Sequence, residues 1–214
     1  MSQETHTSNQ KAMQDKLAQL NSKKVDFWKP PVGETVVRIL PHMPGQENFW
    51  HDSRVHYIGK NPFQCDRQTE DDTCLACSYS DKMMASDDAV RRAKGAKMQS
   101  QVQTMANIAV DHGSPKAKNF IWTLPDSVMQ QLISAYFGDY PGLDHPVTGH
   151  DFVLTRVGVG LPTRYTVMPR KNSSATTKSL MRGRKDLSKI SKASSEDDVR
   201  RAVSAFIKSS DPVN

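Results

Sequence analysis

Apolar and polar residues alternate along several short segments of the chain, and this period of two predicts β-strands. In "DFVLTRVG", residues 151–158, Phe152 and Leu154 fall on one side and Val153 and Thr155 on the other, as in a half-buried strand. Runs rich in β-branched or aromatic residues predict further strands at residues 34–40, 49–58, 101–110, 119–122 and 164–168. We therefore expect a mainly β protein with helices, an α+β fold.

Apolar residues three or four positions apart predict three amphipathic helices. The clearest is "PDSVMQQLISAYFG", with Asp126 as its N-cap and Gly138 as its C-terminal stop. Ser195 is placed to cap a second helix near the end of the chain, and residues 11–24 carry a thinner apolar stripe. The apolar faces of the first two helices consist of Val128, Met129, Leu132, Ile133, Tyr136 and Phe137, and of Val199, Ala202, Val203, Phe206 and Ile207.

All three cysteines lie in the polar segment "VHYIGKNPFQCDRQTEDDTCLACSY", residues 55–79. Cys74 and Cys77 have the spacing with which two thiolates bind one tetrahedral ion. Cys65 lies nine positions before Cys74, and His56 lies nine positions before Cys65. A Cys3His set is a common structural zinc site, so the sequence predicts one zinc ion that stabilises this segment.

Other interpretations of the cysteines fit less well. Buried free thiols are disfavoured by the acidic residues between them, and a redox pair is expected on a β-α-β scaffold that the pattern does not show. A catalytic zinc needs an open position and a general acid or base. No histidine is followed two positions later by glutamate, and Thr73 rather than proline precedes Cys74, unlike the zinc deaminases. For the fourth ligand, His51 is the main alternative to His56, and His42 is a weaker one.

The formal net charge is +6, which suits a polyanionic partner. Residues 152–193 hold ten basic residues and one acidic residue. Arg156 and Arg164 lie on predicted strands together with Tyr165, and guanidinium groups beside aromatic rings can bind phosphates and stack on bases. From about residue 169 the composition shifts to Ser, Lys and Arg, which predicts a flexible arm.

The candidate nucleic-acid contacts therefore combine basic and aromatic side chains. They are Arg156, Arg164, Tyr165, Arg170 and Lys171 in the basic region, Arg91 and Arg92 in the helix-forming segment 81–99, and Trp50, Tyr57, Lys60 and Trp122 elsewhere. For any single aromatic residue, packing in the core is the main alternative.

Several functional classes find no support in the sequence. No apolar run approaches the length of a membrane helix, and the polar "MSQETHTSNQ" has no signal core, so we expect a cytoplasmic protein. There is no glycine-rich nucleotide loop and no GxSxG or HExxH motif. We therefore expect a binding protein and not an enzyme.

The order of these segments resembles a known family. An N-terminal helix ending in "LAQLN" is followed by "DFWKPPVGETVVRILP", by the His–Cys–Cys–Cys cluster, by "MANIAV" and by "DFVLTRVGVG" running on to "RYTVMPRKNSSA". Over roughly residues 11–175 this is similar to the single-stranded DNA-binding (helix-destabilising) proteins of T-even-type bacteriophages.

The resemblance implies a function and a domain organisation. It implies a protein that coats and protects single-stranded DNA during phage replication, recombination and repair in the bacterial cytoplasm. The expected parts are an N-terminal arm at 1–24 that contacts neighbouring protomers, and a core at 25–175 built as a five-stranded OB-fold barrel with a zinc subdomain at about 55–80. The family's acidic C-terminal tail, which recruits replication partners, is missing; in its place is a basic arm at 176–214 with a short helix, our candidate contact for phage replication proteins. By the family pattern Tyr165 stacks on bases.

The alternative to a single-stranded DNA-binding protein is a zinc-ribbon module that binds duplex DNA or a transcription partner.

Overall fold

The computed structural model describes residues 27–67, 73–160, 162–171, 173–190 and 195–209, and the helix predicted at 11–24 lies outside them. The described chain is a mixed α+β fold. Its strands are β1 (Gly33–Ile39), β2 (Trp50–Ile58), β3 (Asn61–Gln64), β4 (Gln101–Val110), β5 (Lys118–Leu124), β6 (Asp151–Val157) and β7 (Arg164–Pro169). Its helices are α1 (Leu75–Met84), α2 (Ala89–Lys97), α3 (Asp126–Phe137), α4 (Lys178–Arg182), α5 (Leu187–Ile190) and α6 (Glu196–Lys208). None of these helices has the length and apolar character needed to cross a membrane.

The strands form one seven-stranded antiparallel sheet around β4. One edge of β4 pairs with β2 through residues 101–106 and with β1 through residues 108–110, while its other edge pairs with β5. The path through the sheet is β3-β2-β4-β1-β6-β7, with β5 as a branch from β4. Among the described residues no strand pairing joins β7 back to β5 or β3, so the sheet is not a closed barrel.

The main core lies between the sheet and α3. Phe152 and Leu154 of β6 are both 2% exposed, which confirms the predicted inner face of that strand. The helix predicted at "PDSVMQQLISAYFG" is present, but its N-cap is Pro125, and Asp126 is the first helical residue. The core consists of Val37, Ile39, Ala106, Ile108, Val110, Trp122, Leu124, Val128, Leu132, Leu143, Phe152 and Leu154.

The side chain of Gln131 on α3 takes the place of a neighbouring strand at β7. Its amide oxygen accepts from the N–H of Val167 at 2.8 Å, and its amide nitrogen donates to the C=O of Tyr165 at 3.1 Å. A further strand would bond to backbone groups of these same residues. Because α3 supplies the partners instead, the helix is held against the last strand of the sheet.

Two short helices, α1 and α2, follow one another from the CxxC pair onwards, and Cys77 lies within α1. Asp88 caps α2 by accepting from the N–H groups of Val90 and Arg91. Gly95 weakens the helical pattern in the sequence, and the structure shows why a glycine is needed there. A Cβ at Gly95 would lie 2.9 Å from the Cβ of Met83. The glycine therefore allows α1 and α2 to pack closely.

The prediction of a flexible basic arm is wrong for residues 173–190. Leu180 and Leu187 are 7% and 1% exposed, and they cover the face of β4 and β5 opposite the main core. The side chain of Asn107 exchanges two hydrogen bonds of 2.8 Å with the backbone of Lys185. Asn119 donates to the C=O of Leu180 at 2.6 Å. Two leucines and two asparagines thus fix a segment whose composition is typical of disorder.

A buried ionic cluster, which the sequence did not predict, fixes the loop before β6. Arg38 is 0% exposed, lies 3.3 Å from the carboxylate of Asp151, and donates to the C=O groups of His145 and Gly149. The Nδ1 atom of His112 lies 2.8 Å from the same carboxylate. A buried guanidinium needs such partners, because without them its desolvation is too costly.

Replacing Leu187 by alanine tests the packing of residues 173–190. We expect Leu187→Ala to lower the free energy of unfolding by about 2–3 kcal/mol, because it leaves a cavity against Met105 and Ile121. Lys189→Ala, two positions away with an exposed side chain, is the control and should change stability by less than about 0.5 kcal/mol. Urea unfolding measures both. Equal stability of the two variants would mean that the segment is a free arm.

Candidate metal centre

Four side chains from three elements converge on one point. His56 lies on β2, Cys65 directly follows β3, and Cys74 and Cys77 lie at the start of α1. Their ligand atoms all lie within 4.8 Å of one another. His56 Nε2 is 3.5 Å from Cys74 Sγ and 3.4 Å from Cys77 Sγ, and the Sγ atoms of Cys65 and Cys77 are 3.6 Å apart. In a tetrahedral zinc site the corresponding separations are about 3.6 Å for N···S and about 3.8 Å for S···S.

The backbone brings these residues together through a hairpin and a helix start. β2 and β3 pair so that Val55 lies opposite Gln64, and the N–H of Cys65 donates to the C=O of Arg54 at 2.8 Å. Cys65 is thereby held beside His56. Cys74 is the N-cap of α1 and makes no capping hydrogen bond through its side chain. Its thiol is therefore available to a metal.

The orientation of His56 suits a metal ligand. Its Nδ1 atom lies 2.6 Å from the C=O of Met98. With Nδ1–H donating to this carbonyl, loss of the proton from Nε2 leaves a lone pair directed at the cysteines, the arrangement seen in most metal-binding histidines. His56 is 0% exposed, so this carbonyl fixes both the tautomer and the ring plane.

The three thiols differ in acidity because their surroundings differ. Burial opposes ionisation of Cys74, but hydrogen bonds from His56 and from the backbone N–H groups of Cys77 and Asp66 outweigh it and lower the pKa of this thiol to about 6. Burial and the neighbouring sulfur atoms raise the pKa of Cys77 to about 12, and burial raises the pKa of Cys65. A cation among the four ligands would stabilise all three thiolates, since a coordinating thiol is deprotonated.

His51, the alternative fourth ligand, does not belong to the cluster. It lies five residues before His56 on β2. An odd offset directs the two side chains to opposite faces of the sheet, and five residues separate them by about 16 Å along the strand. The four residues that could bind one metal ion are therefore His56, Cys65, Cys74 and Cys77, as the sequence predicted.

The sheet face that carries His56 also contains an exposed strip between two packed regions. Asp52 and Arg54 of β2 lie on this face opposite Thr104 and Val102 of β4. Asp52, Arg54 and Val102 are exposed, and Thr104 is half-buried. We call these four residues the open strip. The main core covers the same face at one end of the strip. At the other end lies a second apolar cluster around the ligands. We call the β2–β3 hairpin, α1 and α2 at this cluster the metal lobe, and α6 packs on it. Sequence reasoning missed the open strip, because its composition is unremarkable and only the strand register reveals it.

The predicted aromatic contacts lie in different environments. Trp50 is half-buried at the core end of the open strip, with its ring centroid 4.8 Å from that of Phe49. Tyr57 lies on the opposite face of β2 from His56, and its hydroxyl accepts from Gln103. Trp122 is 4% exposed within the core, so a base reaches its ring only if that packing opens. Tyr165 is half-buried, 6.5 Å from Trp122 between ring centroids.

The predicted basic contacts are mostly exposed and are spread over several elements. Arg156 donates to the C=O of Pro30 at 2.6 Å, and Arg92 donates to the C=O groups of Ser86 and Asp87. The side chains exposed to solvent are Lys60, Arg91, Arg92, Arg164, Arg170 and Lys171. The structure does not gather them into one compact patch comparable to the metal centre.

A cavity of about 410 Å³ adjoins Trp50, between α3 and the segment before β2. Four of the six residues of the predicted apolar face of α3 line it. Leu132 is buried, Ile133 and Tyr136 are 42% and 43% exposed, and Phe137 is 82% exposed. Glu47 and Asp144 also line the cavity, which places negative charge beside the aromatic rings.

Comparison of the chain with protein-family models finds none that matches, and comparison with curated proteins finds no similar sequence.

His56→Ala and His51→Ala form a matched pair that tests the ligand set. We expect His56→Ala to weaken Zn²⁺ binding on the order of 100-fold or more, because even residues that only orient a metal ligand contribute 10- to 100-fold. His51→Ala should leave the affinity unchanged. Competition with a chromophoric chelator measures both. A loss of affinity in the His51 variant alone would overturn the assignment.

Zinc binding should release protons. At pH 7 Cys65 and Cys77 are protonated without metal, whereas Cys74, with a pKa of about 6, is largely ionised. Burial disfavours the charged form of His56, but hydrogen bonds to Cys74 and Met98 outweigh burial and raise the pKa of His56, so this ligand also gives up protons. Binding should therefore release at least two protons per ion, and affinity should fall further as the pH drops below 6 and Cys74 becomes protonated. Titration in a weakly buffered indicator solution counts the protons. Binding without proton release would show that the thiols are not the ligands.

Proposed function

We propose that this protein binds single-stranded DNA without sequence preference and has no catalytic role. The observation that carries the proposal is the open strip, an exposed piece of sheet that runs from Trp50 at the core to the metal lobe. It offers Arg54 for phosphates, Val102 for apolar contact and an aromatic ring at one end. Such a combination suits a flexible strand with unstacked bases.

Charge supports a nucleic-acid partner. The net charge of +6 favours association with a polyanion at low salt. The exposed basic residues on the β2–β3 turn, α2 and β7 would neutralise phosphates along the path of a strand, and each neutralised phosphate adds to the salt dependence of binding.

The sheet is compatible with a variant of the OB-fold that the family resemblance implies. Strands β1, β4, β5, β6 and β7 all contribute side chains to one core together with α3. We propose that these five strands are the counterpart of the barrel, and that α3 fills the gap between β5 and β7. Gln131 would then replace the strand pairing that closes a barrel.

We infer that the metal is zinc and that it is structural. Three thiolates and one imidazole form a donor set typical of structural zinc, and four protein ligands complete a tetrahedron. The ion would hold the metal lobe in place beside the open strip. The lobe would then form one wall of the binding site without contributing chemistry.

The family resemblance supplies the proposed biological setting. We propose that the protein coats single-stranded DNA during phage replication, recombination and repair in the host cytoplasm. It would contact neighbouring protomers on the DNA through its N-terminal arm. It would contact replication proteins through its C-terminal arm.

Titration with oligo-dT and with a duplex of equal length tests the function. We expect tighter binding to the single strand, quenching of tryptophan fluorescence, and an affinity that falls steeply with salt. Equal or tighter binding to the duplex would favour the zinc-ribbon alternative. No binding to either would overturn the proposal.

Arg54→Glu tests the open strip in the same assay. We expect the charge reversal to weaken oligo-dT binding by about tenfold and to reduce the salt slope, because a phosphate contact becomes a repulsion. Arg200→Glu, on the exposed face of α6 with its side chain 54% exposed, makes the same charge change away from the strip. Equal losses in the two variants would mean that net charge, and not the strip, governs binding.

A further inference from the structure

The C-terminal helix α6 packs on the metal lobe. Its apolar face is formed by Val199 and Val203, which are 5% and 1% exposed, with Ala202 and Phe206 partly buried beside them. These residues share one apolar cluster with Ile58, Met83 and Met98. The amphipathic pattern of this helix is therefore explained by docking within the same chain.

Polar contacts fix the last turn of α6. The ammonium group of Lys94 on α2 donates to the C=O groups of Phe206, Ile207 and Ser209 at 3.2, 3.0 and 2.6 Å. The last carbonyls of a helix have no partner within it, and a cation there also favours the helix dipole. The C=O of Phe206 accepts in addition from the Ser209 hydroxyl at 2.7 Å. Lys94 is only 8% exposed, so this lysine serves the contact with α6 instead of facing solvent.

The surface that receives α6 includes two of the metal ligands. Cys65 and Cys74 belong to the same apolar cluster as Val199 and Val203. In addition, α1 packs against α6, and its N-cap is Cys74, whose side chain makes no capping hydrogen bond. A metal ion that joins Cys74 and Cys77 to His56 and Cys65 would fix the start of α1 to the β2–β3 hairpin. The surface under α6 is thus organised by the same ligands that hold the ion.

We propose that metal binding and docking of the C-terminal helix are coupled: a bound metal holds α6 on the lobe, and docked α6 tightens metal binding. Reciprocity follows from linkage, because two events that favour the same state must strengthen each other by the same factor. The coupling needs no DNA and does not rest on the proposed function. It makes the exposure of the C-terminal helix depend on the availability of a thiophilic divalent metal.

A pair of adjacent substitutions in the full-length protein tests the effect of the helix on the metal. Val203→Asp places a charge in the buried face of α6, whereas Ser204→Asp places the same charge on its exposed face. We expect the first to lower Zn²⁺ affinity by about tenfold and the second to leave it unchanged. Equal Zn²⁺ affinities in the two variants, measured by chelator competition, would overturn the proposal.

Lys94→Met gives a second perturbation that does not bury a charge. It removes the three bonds to the end of α6, and we expect a several-fold loss of Zn²⁺ affinity. Lys82→Met, an exposed position on α1, is its control. Equal affinities in these two variants would also count against the coupling, even if Val203→Asp fails to fold.

Hydrogen exchange of the unmodified protein tests the opposite direction. We expect amides in residues 196–208 to lose protection when Zn²⁺ is removed by a chelator, while amides in β4 and α3 keep theirs. Continued protection of α6 in the metal-free protein would overturn the proposal. None of these three experiments contains nucleic acid. Their outcomes are therefore independent of the outcome of the oligo-dT titration.

Discussion

The alternation of side chains along β2 is the constraint on which the rest of the molecule depends. One face of this strand carries Trp50 at the core, Asp52 and Arg54 in the open strip, and His56 in the metal centre. Because the period of a strand is two, these four positions cannot be moved independently, and a shift of one residue would place all of them on the wrong face. The pairing of β2 with β4 thus sets the position of the metal lobe relative to the core.

The metal ligands were the part of the site that the sequence predicted best, because a CxxC pair restricts the geometry strongly. Spacing alone left His51 as an alternative to His56, and the parity of the two positions on β2 decides between them. The open strip could not be predicted, since it depends on which strand lies beside β2. That neighbour, β4, comes more than forty residues later in the chain.

Composition is a poor guide where a few residues decide the structure. Residues 173–190 are rich in Ser, Lys and Arg, and such segments seldom bury enough surface to fold. Here Leu180 and Leu187 cover the sheet, and Asn107 and Asn119 satisfy backbone groups of the segment. On α3 only Val128 and Leu132 of the predicted apolar face are buried, and the rest of that face is partly or fully exposed.

The contact of Gln131 with β7 affects what the protein can do at high local concentration. An unpaired outer strand is a template on which another chain can add its own strand, and proteins that crowd together are exposed to this form of aggregation. The glutamine amide occupies the N–H of Val167 and the C=O of Tyr165, so this edge offers no free pair of groups at its centre. Copies of the chain packed side by side would therefore remain separate molecules here instead of fusing into a continuous sheet.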